Sequence, residues 1–286
     1  MFRGHLLNER GLAQNTATAY VLRAGRFLTW AAADGNVMGL TAGDVTRAVL
    51  RESQNVSVGS AQFFVVALRS FLRFCFVEGL LPTDLSAAAL AITGRRRSSV
   101  PRGISPKDAR ALLSACDRRQ AATRRDYAVI LILLRLGLRA GEVANLTLDD
   151  IDWRAAEIVV HGKGRRDERL PLPIDVGEAI VGYLQRGRPT TTSRTVFVRR
   201  IAPIGPLSRG GVSFIVRRAS IRAGPAPLGA HRLRHTLACQ MVGAGVPLPE
   251  ISQVLRHRSL ESTANYARVD IEALRGLAQP WPGGEW

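Results

Sequence analysis

Four short groups of residues carry side chains suited to chemistry at one phosphodiester. Gly137-Leu138-Arg139-Ala140-Gly141-Glu142 offers an arginine with a carboxylate one helical turn after it. His231-Arg232-Leu233-Arg234-His235 offers a second arginine between two histidines. Leu255-Arg256-His257 adds a third histidine, and Tyr266 follows with eight residues between. Cutting such a bond without a metal needs neutralisation of the charge growing on phosphorus, a nucleophile in line, and a proton for the departing oxygen. Planar guanidinium forks match phosphate oxygens two at a time, which suits Arg139 and Arg234 to the first task and makes lysine a poorer substitute. His231 and Arg234 are spaced i, i+3, so one helical face carries both toward the same phosphate. A phenol has an ordinary pKa of about 10, so it attacks at neutral pH only beside cations and a base.

Each residue also has a plainer reading. Arg139 with Glu142 makes an ordinary surface ion pair, or Glu142 orients the Arg139 guanidinium. His257 ends an apolar segment (Ile251, Val254, Leu255), where a histidine caps a helix and meets the negative end of its dipole. His235 supports packing or bonds to backbone. Of the four tyrosines, Tyr20, Tyr127 and Tyr183 fall inside apolar helical patterns and read as core, which leaves Tyr266 as the nucleophile candidate. On one continuous helix the nine-residue step from His257 to Tyr266 turns about 900° and sets the two on opposite faces. The segment Arg258 to Thr263 supplies a break and a capped start for a new helix.

The elements that must position these groups can be read from periodicity. Tyr127 to Leu138 is an apolar run with Arg135 inside it, too short to span a bilayer, and predicts a buried helix. Glu157–His161 and Glu168–Leu172 flank a glycine-bearing turn and predict a β-hairpin with Lys163, Arg165 and Arg166 at its tip. Ser105-Pro106-Lys107-Asp108 has an N-cap, proline at N1 and an acid at N3, so a second domain begins there. Before it, 94–103 breaks every pattern and reads as a basic linker whose Arg95, Arg96 and Arg97 either follow phosphates or form a solvated hinge. Residues 1–93 read as a helical domain. Tyr20, Ala24, Phe27, Leu28 and Ala31 form one stripe, Thr41 with Asp44 caps a helix reaching about Glu52, and Phe63 to Phe76 is densely apolar up to Gly79. From Ser208 onward the pattern is helical again. The fold class is therefore mainly α with a small sheet.

At 286 residues the chain is long enough for two cores. Its hydrophobic content of 46% is that of a globular protein. Forty Lys and Arg against 23 Asp and Glu leave a net charge of +17. That surplus favours nucleic acid over membrane, since no lipid-anchoring pattern accompanies it, although an arginine-favouring genome gives the same excess. The first ten residues hold no secretory apolar core. Cys75, Cys116 and Cys239 are odd in number and scattered, as expected of reduced thiols in a cytoplasmic protein rather than bridges or ligands. No metal or cofactor is expected.

The order Arg139, His231-x-x-Arg234, His257, Tyr266 resembles the tyrosine recombinase (phage integrase) family, and Arg10-Gly11-Leu12, Asn15-Thr16 and Tyr20 are similar to the start of the core-binding domain of its Xer-like members. The resemblance implies a two-domain DNA clamp: a SAM-like core-binding domain over 1–93, the linker 94–103 along the duplex, and a catalytic domain over 104–286. It implies that Tyr266 forms a 3′-phosphotyrosyl link, that His231 and His257 donate to the phosphate with His231 also accepting the phenol proton, and that Lys163 protonates the departing 5′ oxygen. Glu142 would support Arg139. Four protomers on double-stranded DNA are implied, as a homotetramer or with a related recombinase, working at the nucleoid. The segment Ile271 to Ala278 would dock on a neighbouring protomer or on its own domain. The residues around Tyr266 and the Pro280-Trp281-Pro282 tail are similar to recombinases of bacterial mobile elements. The glycine usual before the second histidine is Arg256 here. A type IB topoisomerase-like relaxing enzyme and a silent DNA-binding homologue are the alternatives.

Overall fold

The computed structural model describes residues 1–31, 37–94, 103–162, 167–224 and 226–256. The chain divides into two compact units, Met1–Ser98 and Ser99–Trp286.

In the first unit a short helix α1 (Phe2–Gly4) runs into a π-helical turn (His5–Glu9), followed by α2 (Gln14–Ala31), α3 (Ala42–Asn55) and α4 (Val58–Val77). The Tyr20–Ala24–Phe27 stripe of α2 is buried. Thr41 and Asp44 form the reciprocal capping box at the start of α3, which runs three residues beyond the expected end at about Glu52. Phe64, Leu68, Leu72 and Cys75 of α4 pack with Phe27 and Val45 in one core. By length and composition α4 is apolar enough to cross a membrane, yet its apolar side chains are what this core is made of. It ends where Gly79 takes a left-handed φ of +72°.

The second unit is built around α6 (Ala121–Arg135), whose Val129, Ile130, Ile132 and Leu133 are fully buried. Helices α5 (Pro106–Ser114), α8 (Ile174–Arg186), α9 (Arg209–Ala223) and α10 (Ala230–Gly243) pack on it directly or through one another, and α11 (Leu248–Val254) packs on α10. The Ser105 hydroxyl accepts from the Asp108 N–H at 3.0 Å, so α5 starts as the sequence predicts. The Ile104 N–H donates to the Thr236 hydroxyl at 3.0 Å, which ties the start of this unit to α10.

A three-stranded antiparallel sheet, β1 (Ile151–Asp152), β2 (Glu157–His161) and β3 (Asp167–Pro171), follows α7 (Ala140–Asn145) in the chain and precedes α8. Ile158 and Val160 point into the core while their neighbours face outward, the alternation expected of a half-buried strand. The hairpin is paired so that His161 faces Asp167 and Val160 faces Glu168.

Two expectations need correction. The second hairpin strand begins and ends one residue earlier than 168–172. The apolar helix stops at Arg135 rather than Leu138, because Gly137 turns left-handed with φ +58°. In the apolar segment before His257, Ile251 and Leu255 are fully buried and Val254 is 40% exposed.

Candidate active site

Arg139 is the residue immediately before α7, and the local sequence explains its placement. Gly137 adopts a conformation that side chains resist, and a Cβ there would stand 2.8 Å from a Leu237 methyl and 3.0 Å from one of Leu255. The chain therefore leaves α6 tightly and restarts as α7. Glu142, at the third position of α7, reaches back to the Arg139 N–H at 2.7 Å, one half of a capping box. Its other oxygen takes the Arg139 Nη1 donor, also at 2.7 Å. Burial alone would raise the Glu142 pKa. The Arg139 N–H, the Arg256 guanidinium and the Arg139 side chain outweigh it and hold the carboxyl below its usual range.

His231 and Arg234 lie on the first turns of α10. Arg234 is buried, with Nη1 donating to the Gly137 carbonyl at 2.5 Å and Nη2 donating to the Leu255 carbonyl. Arg139 Nη2 donates to the next carbonyl, that of Arg256, at 2.8 Å. Two arginines from separate sequence groups thus grip successive carbonyls of the turn that leads into His257. Main-chain carbonyls orient the Arg234 guanidinium without cancelling its charge, whereas Arg139 shares its charge with the Glu142 carboxylate and leaves part of its side chain exposed.

His231 is exposed at its edge. Desolvation of the ring, followed by the nearby charges of Arg234, Arg139 and Arg209, holds its pKa below the ordinary histidine value. It is neutral at neutral pH and able to accept a proton. The His235 ring stands against it, centroids 4.1 Å apart and planes at 68°. Burial first, and then His231, Arg234 and Arg232, push His235 down to about 4. This agrees with a packing role for His235: it buttresses His231.

The structure thus brings Arg139, Glu142, His231 and Arg234 together. Lys163, His257 and Tyr266 lie outside the described residues, as do Arg95, Arg96, Arg97, Arg165 and Arg166. Tyr20 and Tyr183 are buried, and Tyr183 accepts from the Val198 N–H at 3.3 Å. Tyr127 is only half-buried, with the Arg118 guanidinium 5.1 Å over its ring, so it is less a core residue than its pattern predicts. Cys75 and Cys116 are buried, Cys239 is half-buried, and none of the three is in a disulfide. Among the described residues, no group of three or more His, Cys, Asp or Glu could hold a metal ion.

Residues 102–272 match the model of the phage integrase family. The integrase/recombinase y4rA of Sinorhizobium fredii is 45% identical over 287 residues, covering 99% of this chain and 70% of that protein. The tyrosine recombinase XerD of Mycobacterium tuberculosis is 30% identical over 98% of this chain and 94% of its own length. The chain belongs to the phage integrase family. Its members of this type are tyrosine recombinases, and this chain is a tyrosine-type site-specific recombinase. The fold agrees: a lambda integrase dimer bound to a COC′ core site superposes with a TM-score of 0.68 at 19% identity, over 98% of this chain and 77% of that one. A XerH recombinase in a post-cleavage complex with a palindromic difH substrate superposes with a TM-score of 0.67 at 18% identity, over 92% and 78%.

Within this integrase site, two features escaped sequence reasoning. Arg256 stands beside Arg139 and Glu142. The only signal for it was an arginine in a place where the family usually has glycine. His161 lies between Asp150 and Asp167, 2.7 Å from each. It clamps the base of the hairpin, and nothing in the residue types alone announced that one histidine would meet two carboxylates there.

Proposed function

We propose that this recombinase cuts and rejoins double-stranded DNA through Tyr266, with Arg139 and Arg234 on the non-bridging oxygens of the scissile phosphate. The Tyr266 oxygen attacks phosphorus and its proton passes to the neutral His231. The bond from phosphorus to the 5′ oxygen breaks, Lys163 gives that oxygen its proton, and a 3′-phosphotyrosyl link remains. Attack by the 5′ hydroxyl of a partner strand reverses the step, so no external energy source is required. His257 donates to the same phosphate, and Glu142 holds Arg139 in place.

The observation that carries this reading is the convergence of Arg139 and Arg234 on the adjoining carbonyls of Arg256 and Leu255, directly before His257. Residues 1–93 and 104–286 are read as the core-binding and catalytic domains of a clamp, with Arg95, Arg96 and Arg97 of the linker and Arg165 and Arg166 of the hairpin on phosphates. DNA exchange between two duplexes needs four active sites, hence a tetramer. Relatives named as integrases support integration, excision or resolution of a mobile element as the setting, in the cytoplasm at the nucleoid.

Covalent capture tests the chemistry. Adducts trapped in cells and sequenced should fall at one recurrent, roughly palindromic site and vanish with Tyr266→Phe while DNA binding persists. Adducts that survive Tyr266→Phe refute the nucleophile. Adducts scattered over many sequences support topoisomerase-like relaxation, and none with binding intact supports the accessory homologue.

A further inference from the structure

Arg256 adopts φ +52°, left-handed backbone that favours glycine. A bulky side chain is kept there at a cost in backbone strain, and that calls for a compensating contact. Its guanidinium is buried, with only 4% of the side chain exposed. Nη2 pairs with Glu142 Oε2 at 3.0 Å, and Nη1 donates to the Val254 carbonyl at 3.2 Å. Nε has no hydrogen-bond partner among the described residues and faces Glu168 Oε2 of β3 at 3.9 Å.

The same residue offers its carbonyl to Arg139 Nη2. A closed ring results: Arg139 to Glu142, Glu142 to the Arg256 guanidinium, and the Arg256 carbonyl back to Arg139. Glu168 links that ring to the hairpin strand that follows the Lys163 segment.

On the reading of Arg139 as a phosphate clamp, we infer that Arg256 is a positioning residue that locks the Arg139 guanidinium and the turn before His257 to one carboxylate. It is too buried to touch DNA, and it acts through Glu142. Glycine would suit the backbone better than arginine at this position, so the arginine is there for its side chain.

Arg256→Gly separates the two roles, because it relieves the strain while opening the ring. The full-length variant should stay folded and melt only modestly below the parent, because the relieved backbone strain offsets part of the lost buried pair with Glu142. It should bind a nicked recombination-site DNA with a Kd within about twofold, and form the covalent adduct about 10- to 100-fold more slowly in single turnover, the usual penalty for losing a supporting contact behind a catalytic group. Arg256→Lys, which keeps the cation but not the fork, should recover part of that rate. Arg256→Gly cleaving at the parental rate beside an inactive Arg139→Ala overturns the inference alone. Arg139→Ala cleaving at the parental rate overturns the clamp reading and the inference with it. A rate loss in Arg256→Gly that only tracks a fall in melting temperature, with no recovery in Arg256→Lys, also overturns the inference.

Discussion

Two sides of the candidate site handle their charges in opposite ways. On the α10 side, Arg234 is buried and held by the carbonyls of Gly137 and Leu255. Across from it, Arg139 is 43% exposed at its side chain and paired with a carboxylate, Glu142. The first arginine is part of the core and the second is a surface residue on a rigid mount. Substitution should therefore cost different things at the two positions. Arg234→Ala leaves two carbonyls without charged donors and opens a cavity. At about 1.5–3 kcal/mol for each hydrogen bond to a charged group, the loss comes to roughly 3–6 kcal/mol, together with loss of covalent adducts. Arg139→Ala should abolish adducts equally while costing about 1 kcal/mol or less, since Glu142 keeps Arg256 and the backbone N–H. Denaturant midpoints measured beside adduct yields test the contrast, and equal stability losses at the two positions would erase it.

Gly137 sharpens the same comparison, because its carbonyl serves Arg234 while its turn launches Arg139. Gly137→Ala introduces no charge and removes no donor. It forces a left-handed alanine and drives a methyl toward Leu237 and Leu255. We expect about 2–3 kcal/mol of destabilisation and a lower adduct yield. The yield should fall because moving Leu255 moves the carbonyl that orients Arg234. A variant that unfolds as predicted but cleaves normally would show that the Leu255 carbonyl matters to stability and not to alignment.

Much of this arrangement was legible in the residues alone, and particular positions show why. The helix starts at Thr41 and Ser105 were readable because capping is local chemistry over four residues. The α2 stripe and the alternation in β2 were readable because one buried face imposes a period. That Arg139 and Arg234 would come together was readable because the types and spacing of the charged groups suggested one shared site. The misses are non-local. β1 is two residues long and has no period of its own. Helix α6 stops at Arg135 because of how closely Gly137 must pass Leu237 and Leu255, which no local pattern records. Arg256 was visible only as a departure from glycine, and its link to Glu142 spans 114 positions.

The smallest expected effect extends the contrast to the histidines. His161 lies among carboxylates, and the bonds to Asp167 and then Asp150 raise its pKa above the ordinary value. His231 and His235 lie among arginines and behind packed protein, and theirs are lowered. The signs are opposite in stability as well. The contribution of His161 is complete below the unfolded histidine pKa of about 6.5 and is lost as pH rises through its raised value. The other two are neutral in the fold, so the unfolded chain takes up protons first as pH falls below that value, and the penalty grows toward about 4 for His235. His161 is half exposed, so solvent screening keeps its share of stability small. The titration itself is the better readout. Imidazole proton shifts followed by NMR from pH 4 to 9, assigned by single His→Gln variants, should rank His161 above His231 and His231 above His235. The middle member of that order matters most for the chemistry. A His231 titrating above about 7 would be an imidazolium at neutral pH and could not take the Tyr266 proton, so the base for the attack would have to be another group.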